Sequence, residues 1–227
     1  MTNFPYINIH THHPTGNKDT VEIPNLFLQE VDFDILKLAN KEGRKVSIGL
    51  HPWHISSQQF DIEQLKGYCL NNAVFAIGET GLDRVINCPW ETQLSIFEQH
   101  LLLAEEIGKP VIIHAVRSYP DIISVKKKLK VKTPFIIHGF NGNSQTADQL
   151  LNNGCYLSFG HALLQNKPKL IEAFTKTPVD RLFLETDDNA ALHIQSVYQQ
   201  AAALRNCTEA ELKSQVFRNF AHLSEKG

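Results

Sequence analysis

Cysteine is sparse and scattered in this chain. Its four cysteines, Cys69, Cys88, Cys155 and Cys207, form no CxxC unit. That pattern excludes a disulfide framework, and four free thiols suit a reducing, cytoplasmic setting. A charge excess is missing too: the formal net charge is −2. A protein that holds nucleic acid by bulk electrostatics usually shows a basic surplus, so any basic rim here is local. No apolar run approaches the ~20 residues that span a bilayer, so no membrane partner is expected. The opening MTNFPYINIH lacks a positive region followed by an apolar stretch and does not read as a signal peptide. Low-complexity linkers and clear repeats are also absent. A Gly-rich phosphate loop after an early strand is not there either, which argues against a doubly wound dinucleotide fold.

What is present is a recurring unit: a short β-rich apolar run, a polar loop, a helical stretch. With 227 residues, 42% hydrophobic and 20% charged, the chain can bury a sizeable core, and one domain over residues 1–227 is expected. The strand-like runs are Tyr6–Ile9, Val46–Leu50, Val74–Ile77, Val111–Ile113, Phe135–Ile137, Tyr156–Phe159 and Arg181–Leu184. Successive apolar residues suit parallel strands buried on both faces. An eighth run, Val21–Phe27, contains Pro24 and predicts a distorted strand. Helix-like segments lie between them at Asp34–Glu42, Thr92–Ile107, Thr146–Asn152, Lys167–Lys176 and Glu209–Leu223. Eight such units make an α/β fold of the TIM-type (β/α)8 barrel kind.

The strand ends carry the chemical signal. Strand one ends in His10 and His12, strand three in His51 and strand four in Gly78-Glu79-Thr80-Gly81. Strand five ends in His114, strand six in His138, and strand eight in Glu185-Thr186-Asp187. In TIM barrels catalytic groups sit at these C-terminal ends. Side chains alternate along a strand, so His10 and His12 point one way and His13 the other. Two imidazoles on one face can bind a divalent ion. Glu79, with two oxygens, can bridge to a second ion completed by His114 and His138, with Asp187 approaching from the far side of the ring. Mixed imidazole and carboxylate donors suit two ions of Zn, Mn, Ni or Fe, with Mg also allowed. Two ions ~3.5–4 Å apart would activate a water for displacement at phosphorus.

Taken singly, each residue has a plainer reading. Asp187 suits a helix N-cap, and Gly78-Glu79 suits a turn with an exposed acid. His13, His100, His161, His193 and His222 read as ordinary histidines, His100 on the polar side of its helix. It is the coincidence at one structural point that carries the metal reading.

The stretches His10–His12 (HTH), Ile48–His54 (IGLHPWH), Ala76–Asp83 (AIGETGLD), Lys109–Ser118 (KPVIIHAVRS), Phe135–Asn143 (FIIHGFNGN), Tyr156–Gly160 (YLSFG) and Leu182–Asp187 (LFLETD) together resemble the TatD-type metal-dependent hydrolases of the amidohydrolase superfamily. They stand in the family's order and span most of the chain. The resemblance implies a di-metal barrel that cleaves phosphodiesters and is usually described as a deoxyribonuclease. It implies His10, His12, Glu79, His114, His138 and Asp187 as ligands, with Asp187 also orienting or deprotonating the attacking water. His51 and Arg117 would meet the substrate phosphate. Two departures stand out. The family often begins DxHxH, where this chain has Asn8. It usually follows its last aspartate with a proline and a long basic loop, where this chain has Asp188-Asn189-Ala190-Ala191 and then passes quickly to its last helix.

The substrate expectation is therefore DNA or a small phosphoester. The competing reading is a small-molecule hydrolase for a phosphate monoester, lactone or amide on the same barrel. A non-catalytic metal-binding member ranks last, because the ligand set is complete. The sequence leaves the oligomeric state open and is compatible with a monomer.

Overall fold

The computed structural model describes residues 4–57 and 60–225. Strands and helices alternate along the chain: β1 Tyr6–Thr11, β2 Thr20–Phe27, α1 Phe33–Lys41, β3 Val46–Gly49, α2 Ile62–Cys69, β4 Val74–Asp83, α3 Trp90–Ile107, β5 Val111–Val116, α4 Tyr119–Leu129, β6 Phe135–Ile137, α5 Ser144–Leu151, β7 Cys155–Phe159, α6 Pro168–Lys176, β8 Leu182–Leu184, α7 Ile194–Arg205 and α8 Glu209–Ser224. The strands follow one another in sequence order, β1 to β8. The ladders from β1 to β5 and between β7 and β8 are parallel. Every residue of β3, β4, β6, β7 and β8 is buried, as continuous apolar runs require when both sheet faces are covered. By internal contacts the chain forms two compact units, one of the residues up to Pro24 with Ile137–Glu225, the other of Asn25–Ile136. Among the described residues no helix is long and apolar enough to cross a membrane.

Local chemistry explains the helix starts. Asp32 accepts the Asp34 and Ile35 N–H groups ahead of α1, and Asp61 those of Glu63 and Gln64 ahead of α2. Thr208 and Glu211 form a reciprocal capping box on α8. The expected distortion of β2 is present: its register with β1 shifts between Asn8 and Thr11, and Thr11 falls opposite Pro24.

Three helices, α2, α4 and α7, were not foreseen. The consequential one is α7, because the chain after Asp187 was expected to run quickly to its last helix and instead forms this helix first. Tyr198 of α7 accepts the Ile7 N–H and donates to the Ile7 carbonyl, both at 3.1 Å, so α7 clamps β1 just before His10.

Strand β4 was expected to end at Gly78-Glu79-Thr80-Gly81, but it continues to Asp83. Its ladder with β5 shifts register between Ile77 and Thr80, then runs on through Gly81↔His114 and Asp83↔Val116. Glycine makes this possible. Gly78 and Gly81 have φ of +143° and +155°. A Cβ at position 81 would lie 1.9 Å from the His114 carbonyl oxygen, so only glycine lets the strands approach.

The expectation for His100 is overturned. It is fully buried in α3 and does not face a polar side. Its Nε2 accepts the Leu50 N–H at 3.1 Å, its Nδ1–H donates to the Ile96 carbonyl at 2.8 Å, and Phe60 stacks on it. The imidazole satisfies the backbone N–H just before His51, a need that helical periodicity cannot reveal. Burial pushes its pKa down to about 4. Below pH 6.5 the unfolded chain takes up a proton that the native imidazole refuses. Stability should therefore fall by on the order of 3 kcal/mol as the pH drops from 6.5 to 4. His100→Gln keeps a donor and an acceptor without a titrating group. Denaturant unfolding across that range should give a flatter profile for the variant; an unchanged profile would refute the assignment.

Candidate metal centre

In the first unit, β1 carries His10 and His12 on one face, and their rings lie 5.0 Å apart. His13 turns away and pairs with Asp188 at 2.8 Å. His138, just past β6, packs on His10 at 4.5 Å between ring centroids. Asp187, three residues beyond β8, places Oδ1 3.4 Å from His10 Nε2 and 3.8 Å from His12 Nε2. A nitrogen from each of His10 and His138 and an oxygen of Asp187 lie within 4.8 Å of one another. This donor set, imidazole nitrogens converging on a carboxylate, fits a divalent ion of the Zn, Mn or Ni type.

The backbone holds Asp187 firmly. Its N–H donates to the His10 carbonyl, and its carbonyl accepts the His12 N–H, both at 3.1 Å. Its φ is +53°, a left-handed conformation in which Asp and Asn are tolerated better than most residues. It does not cap a helix: the residue at that position on α7 is His193. Glu185, fully buried, accepts the Gly139 N–H at 2.6 Å and the Ser158 hydroxyl at 2.5 Å, and its Oε1 lies 3.7 Å from His138 Nδ1. It stands beside His138 at more than hydrogen-bond distance, and its own bonds tie Gly139 and Ser158 together next to that ring.

Asn8 has a defined task. Its Nδ2 donates to Thr186 Oγ1 at 2.9 Å, and its Oδ1 accepts the Thr186 N–H at 3.0 Å. Thr186 in turn donates to Thr11 Oγ1. The amide thus pins the residue before Asp187 to β1. Asn8→Ala should cost about 1–3 kcal/mol, because the Thr186 N–H is left buried without its acceptor. Denaturant unfolding measures this, and an unchanged midpoint would refute the role.

In the second unit, His51, Glu79 and His114 cluster with ligand atoms within 4.8 Å. Glu79 is buried rather than exposed, and Asn25 Oδ1 accepts its N–H at 2.5 Å. Glu79 Oε1 lies 2.8 Å from His114 Nδ1 and 3.2 Å from His51 Nε2. Hydrogen bonding separates the two histidines. His51 Nδ1 accepts the Trp53 N–H at 3.1 Å, so a neutral His51 carries its proton on Nε2 and acts there as a donor. His114 Nε2 instead faces Asp83 Oδ2 at 3.0 Å. With a proton on that nitrogen, Nδ1 keeps a lone pair for a metal beside Glu79.

Asp83 also accepts the Trp53 indole N–H and the Val85 N–H. Burial raises its proton affinity, and the hydrogen bonds from Trp53, Val85 and His114 outweigh that, so its carboxyl stays below the usual value. Arg117 is exposed just beyond β5, with φ of +52°.

Asp83, which is hydrogen-bonded to His114, and Glu185, which stands beside His138, were not assigned roles from the sequence, although both lie inside the motifs. His138 lies in the cluster of His10 and Asp187. Asp187 stands directly against β1. Next to it a cavity of about 260 Å³ is lined by Gly139–Asn141, Gly160–Ala162 and Glu185–Asn189.

Parallel β/α units with histidine and carboxylate clusters at the C-terminal strand ends define the class: a metal-dependent hydrolase of TIM-barrel type. The comparisons narrow it. Residues 10–225 match the family model for TatD-related DNase. The uncharacterised metal-dependent hydrolase YcfH of Escherichia coli K12 is 30% identical over 192 residues, 78% of this chain and 72% of that protein. The crystal structure of YjjV, a TatD homologue from E. coli K12, superposes with a TM-score of 0.84 at 23% identity, covering 96% of this chain and 97% of that one. A TatD-family hydrolase from Entamoeba histolytica gives 0.79 at 18% identity, covering 98% and 99%. The chain belongs to the TatD family of metal-dependent hydrolases, and its fold is the (β/α)8 barrel of that family.

Proposed function

We propose that the chain hydrolyses phosphodiester bonds, as a TatD-like deoxyribonuclease, with two divalent ions. One ion is assigned to His10, His12, His138 and Asp187, the other to Glu79 and His114. The bridging role of Glu79 belongs to the same proposal. The observation that carries it is the position of Asp187 Oδ1, 3.4 Å from His10 Nε2 on a rigidly bonded backbone.

The ions would supply Lewis acidity and lower the pKa of the attacking water. Asp187 orients that water and takes its proton as the oxygen attacks phosphorus. The ester P–O bond then breaks, and the leaving oxygen gains a proton. His51, with its proton on Nε2, donates to a phosphoryl oxygen, and Arg117 pairs with another. The substrate is DNA or a smaller phosphodiester, and four scattered cysteines with no disulfide among the described residues favour a reducing, cytoplasmic compartment.

The test is elemental analysis followed by reconstitution with Zn, Mn, Ni or Mg and assay on single-stranded DNA and a nitrophenyl phosphodiester. Cleavage of either supports the proposal; a metal-loaded sample that cleaves neither would sink it. The short loop after Asp187 and the small cavity beside it favour a second reading, a small-molecule hydrolase. Strong monoesterase, lactonase or amidase turnover without diesterase activity would select that one.

A further inference from the structure

Trp53 is the most exposed large apolar side chain among the described residues, at 63%, yet its N–H groups are bonded to His51 and to Asp83, the partner of His114. Its backbone N–H donates to His51 Nδ1 at 3.1 Å and its indole N–H to Asp83 Oδ2 at 3.0 Å. The same Asp83 oxygen holds His114. The indole stands edge-to-face with its neighbours, 5.0 Å and 85° from the His51 ring and 6.2 Å and 75° from the His114 ring. An indole tied down at its nitrogen and packed this way is rigid. Much of its apolar surface remains in water, an arrangement that gains nothing for folding. Val85, 62% exposed, hangs from the other oxygen of Asp83 and adds a second apolar surface anchored to the same carboxylate.

We propose that the Trp53 indole is a stacking platform for a nucleobase of the substrate, flanking the phosphate handled at Glu79 and His114. The inference rests on the phosphodiesterase reading and adds to it the residue that would hold a base of the substrate. Within a nucleotide the phosphate and the base are joined through one sugar, which suits a platform whose ring lies 5.0 Å from that of His51. Base–aromatic stacking is tolerant of sequence, because every base has a π-face. The reaction centre would therefore prefer nucleotides without reading their order. Of the other exposed large apolar residues, Phe33, Ile35 and Leu38 lie on α1, Leu102 on α3 and Leu70 just after α2.

Two diesters with the same nitrophenyl leaving group separate the outcomes: the nitrophenyl ester of thymidine 5′-phosphate and methyl nitrophenyl phosphate, which has no base. For the natural chain the nucleoside ester should show the higher kcat/KM. Trp53→Leu should lower that value, mainly through KM, roughly tenfold to a hundredfold more than it lowers the value for the methyl ester, because loss of the indole bond to Asp83 falls on both esters alike. Trp53→Phe should recover most of the loss. Equal losses on both esters would mean that Trp53 only braces Asp83 and His114, and would overturn the proposal, as would no loss on either.

A second readout needs no turnover. Thymidine 5′-phosphate should quench the tryptophan fluorescence of the natural chain, whereas ribose 5-phosphate should not. Trp53→Phe, with Trp90 as the remaining indole, should lose the quench. Quenching that persists in that variant, or none in the natural chain, would refute stacking. Turnover of methyl nitrophenyl phosphate without quenching would leave the phosphodiesterase reading standing alone. Quenching without turnover of either ester would reject the phosphodiesterase reading and keep the platform.

Discussion

Glu79→Gln is expected to remove one metal ion per chain and to lower turnover on the order of a thousandfold or more. Outer partners of metal ligands typically cost 10–100-fold in affinity or activity when lost, and a charged direct ligand should exceed that. The substitution is nearly isosteric, and the Glu79 N–H keeps its bond to Asn25 Oδ1, so the strand is not disturbed. The side chain is what changes. Oε1 now accepts from the protonated His51 Nε2 at 3.2 Å. A glutamine that keeps this bond through its amide oxygen turns its NH2 towards His114 Nδ1, 2.8 Å from Oε1 in the native site. That donor would occupy the lone pair a metal needs. Because a buried negative charge is removed, the metal-free variant should unfold no earlier than the metal-free natural chain. Metal content by elemental analysis, diesterase rate and unfolding temperature check this together. Natural rate and metal content in the variant would refute the assignment of Glu79.

Asp187→Asn is expected to suppress turnover by about 10²–10⁴-fold, the usual contribution of a positioned base, while the ion assigned to Glu79 and His114 stays bound. Asparagine suits this position because the backbone is left-handed, with φ of +53°. The two hydrogen bonds between the residue 187 backbone and β1 are main-chain bonds and survive. What is lost is an anionic oxygen 3.4 Å from His10 Nε2 and the capacity to take a proton. Asp187→Ala should lose activity similarly and, in addition, destabilise the chain by about 1–2 kcal/mol through the strained φ. The comparison separates chemistry from backbone strain. Full activity in the asparagine variant would remove the proposed role.

The strand cores and the histidines and carboxylates at the strand ends were legible because both depend on local pattern. Buried parallel strands show as apolar runs, and the residue after a run is where a barrel carries its chemistry. The continuation of β4 was not legible, because Gly-Glu-Thr-Gly looks like a turn. It is strand only because Gly81 lets the His114 carbonyl come close, and that partner lies on β5. His100 sits on a helix whose periodicity gave it a polar face, and its burial follows from the Leu50 N–H it accepts. The helix α7 left a trace in Ile194, Val197, Tyr198, Ala201 and Ala202, at helical spacing and buried. Glutamine and serine residues between them diluted it.

By itself the sequence determined the alternation of strands and helices and which histidines and carboxylates stand at strand ends, and both follow from residue type and spacing; its motifs carried the resemblance to the family. Only the tertiary structure decided how those residues group and what they bond to. It set His138 beside His10, turned His51 Nδ1 to the Trp53 N–H, and placed Asp83 within hydrogen-bond distance of His114. The physical reason is that each of these assignments depends on a hydrogen bond or a packing contact made in three dimensions. For His138 and Asp83 the partner lies tens of residues away, where periodicity carries no information.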